Sequence, residues 1–173
     1  MKSLKTADMV IIALFSAVIA VFSQIAIPFP ASVSMTLQTF VIALTGFSLG
    51  KLKGTISVMV YISVGAVGIP VFTGFQGGFT ALLGMTGGFI FGFIPFVFLC
   101  GLKSDKTYIR FISAFSGLII CHICGVLWFS VYSGSITAAF FTASAPYFLK
   151  DTLSVVAALF ISKKIMSAVQ KFN

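Results

Sequence analysis

Residues 9–27 read MVIIALFSAVIAVFSQIAI, a run without one charged side chain. As a helix rising about 1.5 Å per residue, such a run comes close to the ~30 Å hydrocarbon core of a bilayer. Its apolar residues are continuous, whereas a membrane β-strand would alternate. Lys2, Lys5 and Asp8 precede it, and Pro28-Phe29-Pro30 breaks it. A cleaved secretory leader is the competing reading of an N-terminal apolar run. No A-x-A cleavage signal follows cleanly here, so the run is read as a retained membrane helix.

The same pattern repeats along the chain, with charged residues as punctuation because they are costly at the bilayer centre. A second apolar stretch runs from about Ala31 or Met35 to Gly50 and ends at Lys51 and Lys53. The third extends from Gly54 to about Phe72, followed by an uncharged Gly-rich segment, Thr73 to Met85. The fourth covers about Thr86 to Leu102, before Lys103, Asp105, Lys106 and Arg110. The fifth runs from Phe111 to about Tyr132. A small-residue loop is expected from Ser133 to Ala145, and the sixth stretch starts near Pro146 and ends before Lys163-Lys164. The expected fold is all-α: a polytopic membrane protein of six transmembrane helices, with no soluble domain.

Orientation follows from the basic residues. Lys2/Lys5, Lys51/Lys53, Lys103/Lys106/Arg110 and Lys163/Lys164/Lys171 fall in alternate connections, and of the basic residues only Lys150 lies outside these groups. Cytoplasmic loops carry the Lys/Arg excess, so both termini are expected inside and three uncharged loops outside.

Composition excludes other classes. The chain is 59% hydrophobic and 8% charged, against ~25% charged in soluble domains. A soluble fold could not bury that surface, and a disordered chain would not contain it. The net charge of +8 would suggest nucleic acid in a soluble protein. Here it fits positive-inside loops on an anionic leaflet. With three acidic residues and no Glu, acid–base catalysis has almost no material, and no hydrolase or nucleotide-binding motif occurs. An enzyme is not expected, nor is a cofactor.

Four features can carry chemistry. Lys150-Asp151 is expected about one turn inside the sixth helix, with Pro146 in its first turn. Asp151 reads as an acceptor for a ligand, since intramembrane carboxylates are functional by default, and the helix dipole favours it there. Lys150 reads as an anion contact or as a lysine snorkelling to the headgroups. Neighbouring residues do not share a helix face, so both enter one cavity only if the helix start is irregular. The second feature, the Gly/Phe segment Gly68 to Phe89, suits a loop that covers a pocket, because phenylalanines are not normally left facing water. In the third, Ala13, Ala17 and Ala20 stack on one helix face and invite close approach of another helix. The residues alone favour a neighbour within the chain. The fourth, Cys121-His122-Ile123-Cys124, lies within an apolar run. Buried thiols and a hydrogen-bonding core histidine are its ordinary reading, and no metal site is expected.

Several segments together resemble the BioY family, biotin-specific substrate-binding (S) components of energy-coupling-factor (ECF) transporters. Met35-Thr36-Leu37-Gln38-Thr39-Phe40 resembles the family's T-L-Q-T-F stretch. Gly46-x-x-x-Gly50 is also similar, as is Tyr61 followed by Gly65, Gly68, Pro70 and Phe72. Gly77-Gly78 to Gly84-Met85-Thr86-Gly87-Gly88 resembles G-G…G-P-T-G-G-Y, with Met85 in the place of proline. Gly125 and Trp128 fit the fifth helix, and Pro146 and Asp151 fit P-F-x-x-G-D-x-x-K. In that last motif Lys150 replaces the glycine and Ser154 the lysine.

The resemblance covers nearly the whole chain. It implies a single integral membrane domain over residues 1–173 of the plasma membrane, capturing biotin from outside. Transport would use a transmembrane coupling protein and two cytoplasmic ATPases, docked at Ala13, Ala17 and Ala20. The implied ligand-binding residues are Thr36, Gln38, Phe75, Gly77, Thr86, Tyr147, Lys150, Asp151 and Ser154. The alternatives are an S component for a different small vitamin, or a small channel-like membrane protein, though a channel would want charged rings or a polar line through several helices.

Overall fold

The computed structural model describes residues 5–27 and 34–170, with side chains to Met166. Lys2, the Pro28-Phe29-Pro30 break with residues 31–33, and Lys171 lie outside the described residues.

The first helix, α1 (Thr6–Ser23), begins where a carboxylate is available for its open N–H groups. Asp8 accepts the backbone N–H of Lys5 at 3.1 Å, and the Lys53 ammonium lies 2.5 Å from the same side chain. That ion pair ties α1 to the start of α3 (Lys51–Ala66). Further along, the Ser16 hydroxyl donates to the Ser57 carbonyl at 2.8 Å, and Ser23 and Tyr61 share a hydrogen bond of 3.0 Å. Small hydroxyl residues let two helices come close and join them by polar contacts where lipid offers no hydrophobic drive. The buried face of α1 is thus Ile12, Ser16, Ile19 and Ser23. Ala13 and Ala17 are exposed on the other side, and Ala20 is half-buried. The internal neighbour expected for the alanine face is therefore corrected for Ala13 and Ala17: Ser16 and Ser23 make the hydrogen-bonded contacts to α3, and of the three alanines Ala20 packs on the core.

After α1 the chain forms two two-residue strands, β1 (Ala26–Ile27) and β2 (Met35–Thr36), paired antiparallel with Ala26 opposite Thr36. This small sheet departs from the all-α expectation. α2 (Gln38–Leu49) is buried along nearly its whole length and meets α3 at Gly50. α4 (Phe79–Leu82) is a single turn within the Gly-rich segment. α5 (Gly87–Cys100) packs along α6 (Thr107–Ser133), α2 along the last helix, and α1 along α3. The α5–α6 approach depends on Gly88, where a Cβ would stand 2.2 Å from Trp128 Cβ and 2.5 Å from the Cys124 carbonyl oxygen.

The chain after α6 departs most from expectation. Ser133 to Ala145 is mainly helix: α7 (Ile136–Ala139), a π turn (Phe140–Ser144) and α8 (Ala145–Gln170) run on from one another. The Ser135 hydroxyl accepts the Ala138 N–H and caps this start. Pro146 therefore lies inside a continuous helix, not in its first turn. Its ring would crowd the carbonyl four residues back, at Thr142. That carbonyl belongs to the π turn, where the backbone is already wound wider.

Every expected apolar run forms a helix. Among the described residues three are long and apolar enough to cross a membrane: Thr6–Ser23, Thr107–Ser133 and Ile136–Met166. The helices α2, α3 and α5 have 12, 16 and 14 residues. The third apolar stretch stops being helical after Ala66.

Candidate ligand-binding site

A cavity of about 110 Å³ lies between the start of α2, the Gly-rich segment, the start of α5, the middle of α6 and the start of α8. Its walls are mostly apolar: Phe72 and Ala81 from the segment, Phe89, Ile90 and Phe93 from α5, Leu118 and Cys121 from α6, and Ala143 from the π turn.

Its polar end is built around Asp151, which is only 6% exposed. One carboxylate oxygen, Oδ2, lies 3.3 Å from His122 Nε2. The other, Oδ1, pairs with the Lys150 ammonium at 2.5 Å. Thr39 lines the cavity with the carboxylate. Lys150 also donates to the Thr36 carbonyl at 2.8 Å, across 114 residues of chain. A buried carboxylate requires such partners, and with four acceptor sites it retains capacity for a donor from the cavity.

Lys150 and Asp151 both line the cavity although they are adjacent on a helix. The short aspartate points in directly. The lysine starts from a neighbouring face, and its four-carbon stem brings the ammonium back. The sequence-based position of the pair is also corrected: Asp151 lies well inside the helix that starts at Ile136. His122 and Lys150 accompany its charge there, since a helix dipole acts only over the first turn.

Gln38 ties another part of the wall to its surroundings. Its Nε2 donates to the Tyr61 hydroxyl at 2.7 Å, and its Oε1 accepts from Thr73 at 3.4 Å. Gln24 secures the Gly-rich segment: its Nε2 donates to the carbonyls of Val71 and Phe72 at 3.0 Å each, and its Oε1 accepts the Phe75 N–H at 2.9 Å. Trp128 Nε1 donates to the Gly84 carbonyl at 2.9 Å, and the Tyr132 hydroxyl donates to the Leu83 carbonyl.

Thr36, Gln38, Thr86, Tyr147, Lys150 and Asp151 all line the cavity. Ser154, Phe75 and Gly77 are not on its wall. Ser154 is buried about one turn beyond Asp151. Phe75 sits at the tip of the segment with φ +56° and is 72% exposed. Gly77 packs on backbone, where a Cβ would come 2.6 Å from the Ile69 carbonyl oxygen. The segment does cover the cavity, but through Phe72, Thr73 and Gln76 and not its exposed phenylalanines Phe75 and Phe79. Sequence reasoning missed Thr39 and His122 as site residues and Gln24 as the holder of the segment. His122 is the one histidine of the chain and sits in an apolar run, which was the available signal. Nothing local marks Gln24.

The BioY family model matches residues 1–171. A probable biotin transporter BioY of Pyrococcus horikoshii is 33% identical over 94% of this chain and 98% of its own length. The biotin transporter BioY of Thermotoga maritima is 36% identical over 88% of this chain and 91% of its own. Among solved structures, the S-component for biotin from an ECF-type ABC transporter superposes with a TM-score of 0.84. It covers 92% of this chain and 90% of that one at 24% identity, a likeness of fold.

Proposed function

The chain belongs to the BioY family, and from that membership we propose that it is the membrane-embedded S component of an ECF-type transporter and takes up biotin. The observation that carries the ligand assignment is the buried Asp151 carboxylate on the wall of a mostly apolar cavity. The ureido N–H groups of biotin need an acceptor, and its thioether ring needs apolar and aromatic walls such as Phe72, Phe89 and Phe93. Thr36, Gln38, Thr86, Tyr147 and Lys150 complete the proposed contacts. Equilibrium binding of radiolabelled biotin to the detergent-purified chain tests the reading. Saturable binding that other small vitamins do not displace supports it, and no saturable binding refutes it.

The proposed topology is a single multi-pass domain of six spans in the plasma membrane, with both termini inside. Single cysteines introduced by Phe75→Cys and Ser133→Cys in a cysteine-free background are expected to react with an impermeant thiol reagent in intact cells. Asp105→Cys is expected to stay unlabelled until the membrane is permeabilised. The opposite pattern would invert the orientation.

Ala13 and Ala17, small and exposed on α1, support a docking face for a transmembrane coupling protein that carries two cytoplasmic ATPases. A tryptophan there would keep two backbones apart. For Ala17→Trp the expectation is loss of complex recovery and at least a tenfold fall in transport, with biotin binding by the isolated chain kept within about twofold. Unchanged transport would remove this face from the docking surface.

A further inference from the structure

His122 and Ser144 remain after the proposed contacts are assigned. Both are buried, and His122 lies on the cavity wall in the middle of α6. Its ring stands edge-on to Phe89 and Phe148, with centroids 5.8 and 5.2 Å away. The two ring nitrogens have different partners: Nε2 faces Asp151 Oδ2 at 3.3 Å, and Nδ1 faces the Ser144 hydroxyl at 2.8 Å. A carboxylate accepts, so in the neutral ring the proton belongs on Nε2. Nδ1 is then an acceptor, and Ser144 must donate to it. Ser144 is the last residue of the π turn. The extra residue of such a turn shifts the register of the helix beyond it, and π turns gather at functional sites.

We propose that His122, held in one tautomer by Ser144 from the π turn, is a positioning residue of the ligand site: it fixes the Asp151 carboxylate so that the free acceptor directions point into the cavity. This rests on the ligand reading above. The π turn then has a use beyond accommodating Pro146, because it presents a hydroxyl to the side of the imidazole that faces away from the Asp151 carboxylate. Sequence order hides this chain of contacts, since it links α6, the π turn and α8 through side chains 22 and 29 residues apart.

The test is biotin affinity of the purified full chain in four substitutions and their combinations. His122→Phe fills the space but donates nothing, and is expected to bind about tenfold more weakly. His122→Gln restores a donor near the Nε2 position and is expected to recover affinity to within about threefold of the parent. Ser144→Ala is expected to cost about threefold beside His122 and to add nothing beside His122→Gln, because the hydroxyl acts only through the imidazole. In an Asp151→Asn background, His122→Phe should add less than about twofold. Parental affinity in His122→Phe, an equal loss with and without Asp151, or a Ser144→Ala loss that persists beside His122→Gln would each overturn the assignment. If His122→Phe does not fold, the Ser144→Ala comparison decides alone. Failure of the unsubstituted chain to bind biotin would instead refute the ligand reading, and this inference with it.

Discussion

Asp151→Asn is expected to weaken biotin binding roughly 10- to 100-fold, as measured by equilibrium binding to the purified chain. The substitution keeps the shape of the side chain but removes its charge and converts one acceptor oxygen into a donor. A hydrogen bond to a charged group is worth ~1.5–3 kcal/mol, and each ~1.4 kcal/mol is a decade in affinity. The surroundings add to the effect. His122 Nε2 and the Lys150 ammonium both present donors to this carboxylate, so an amide N–H₂ placed between them opposes at least one. Lys150 keeps its bond to the Thr36 carbonyl but loses its counter-ion. Thermal stability is therefore expected to fall along with affinity, because breaking one side of a buried ion contact leaves the other uncompensated. Full affinity in a folded Asp151→Asn protein would move the ligand's polar anchor elsewhere in the cavity, with Gln38 the next candidate.

Gly88→Leu is expected to leave no stably folded protein. A Cβ alone at this position would overlap Trp128 Cβ and the Cys124 carbonyl oxygen, at 2.2 and 2.5 Å. The second of these is helix backbone, which cannot rotate away. Relief requires α5 to part from α6, and Phe89, whose ring packs on Gly125, would be drawn out with it. Overpacking ordinarily costs ~1–3 kcal/mol, and separating a whole helix face costs more. Size-exclusion profile and thermal unfolding in detergent check this. Leu127→Ala, on an exposed face of the same helix pair, is expected to change stability by no more than ~0.5 kcal/mol. A monodisperse, parent-like Gly88→Leu protein would show that the α5–α6 contact is far more compliant than its geometry indicates.

The amino-acid order by itself determined that the chain is helical and lipid-solvated, where the apolar runs lie, and that Asp151 is the acidic side chain to examine. These are local properties: hydropathy is carried by consecutive residues, and a charge within an apolar run is conspicuous wherever the run ends up. Family motifs added Thr36, Gln38, Thr86 and Tyr147, which the fold gathers around one cavity. Tertiary structure decided what local properties do not encode. Lys150 reaches the cavity beside Asp151 because its stem is long and the Thr36 carbonyl, 114 residues away, receives it. Ala13 and Ala17 face outward because Ser16 and Ser23 make closer, hydrogen-bonded contacts with α3. The segment before Pro146 resembles a loop in sequence because Ser133-Gly134-Ser135 opens it and a proline follows it, although its alanines are good helix formers. It is helical in the fold, where Ala139, Ala143 and Ser144 are buried against their neighbours and the π turn accommodates the proline. His122 became part of the site only when α6 and α8 met, since the value of a buried polar group is set by the partner across from it and not by its neighbours in the chain.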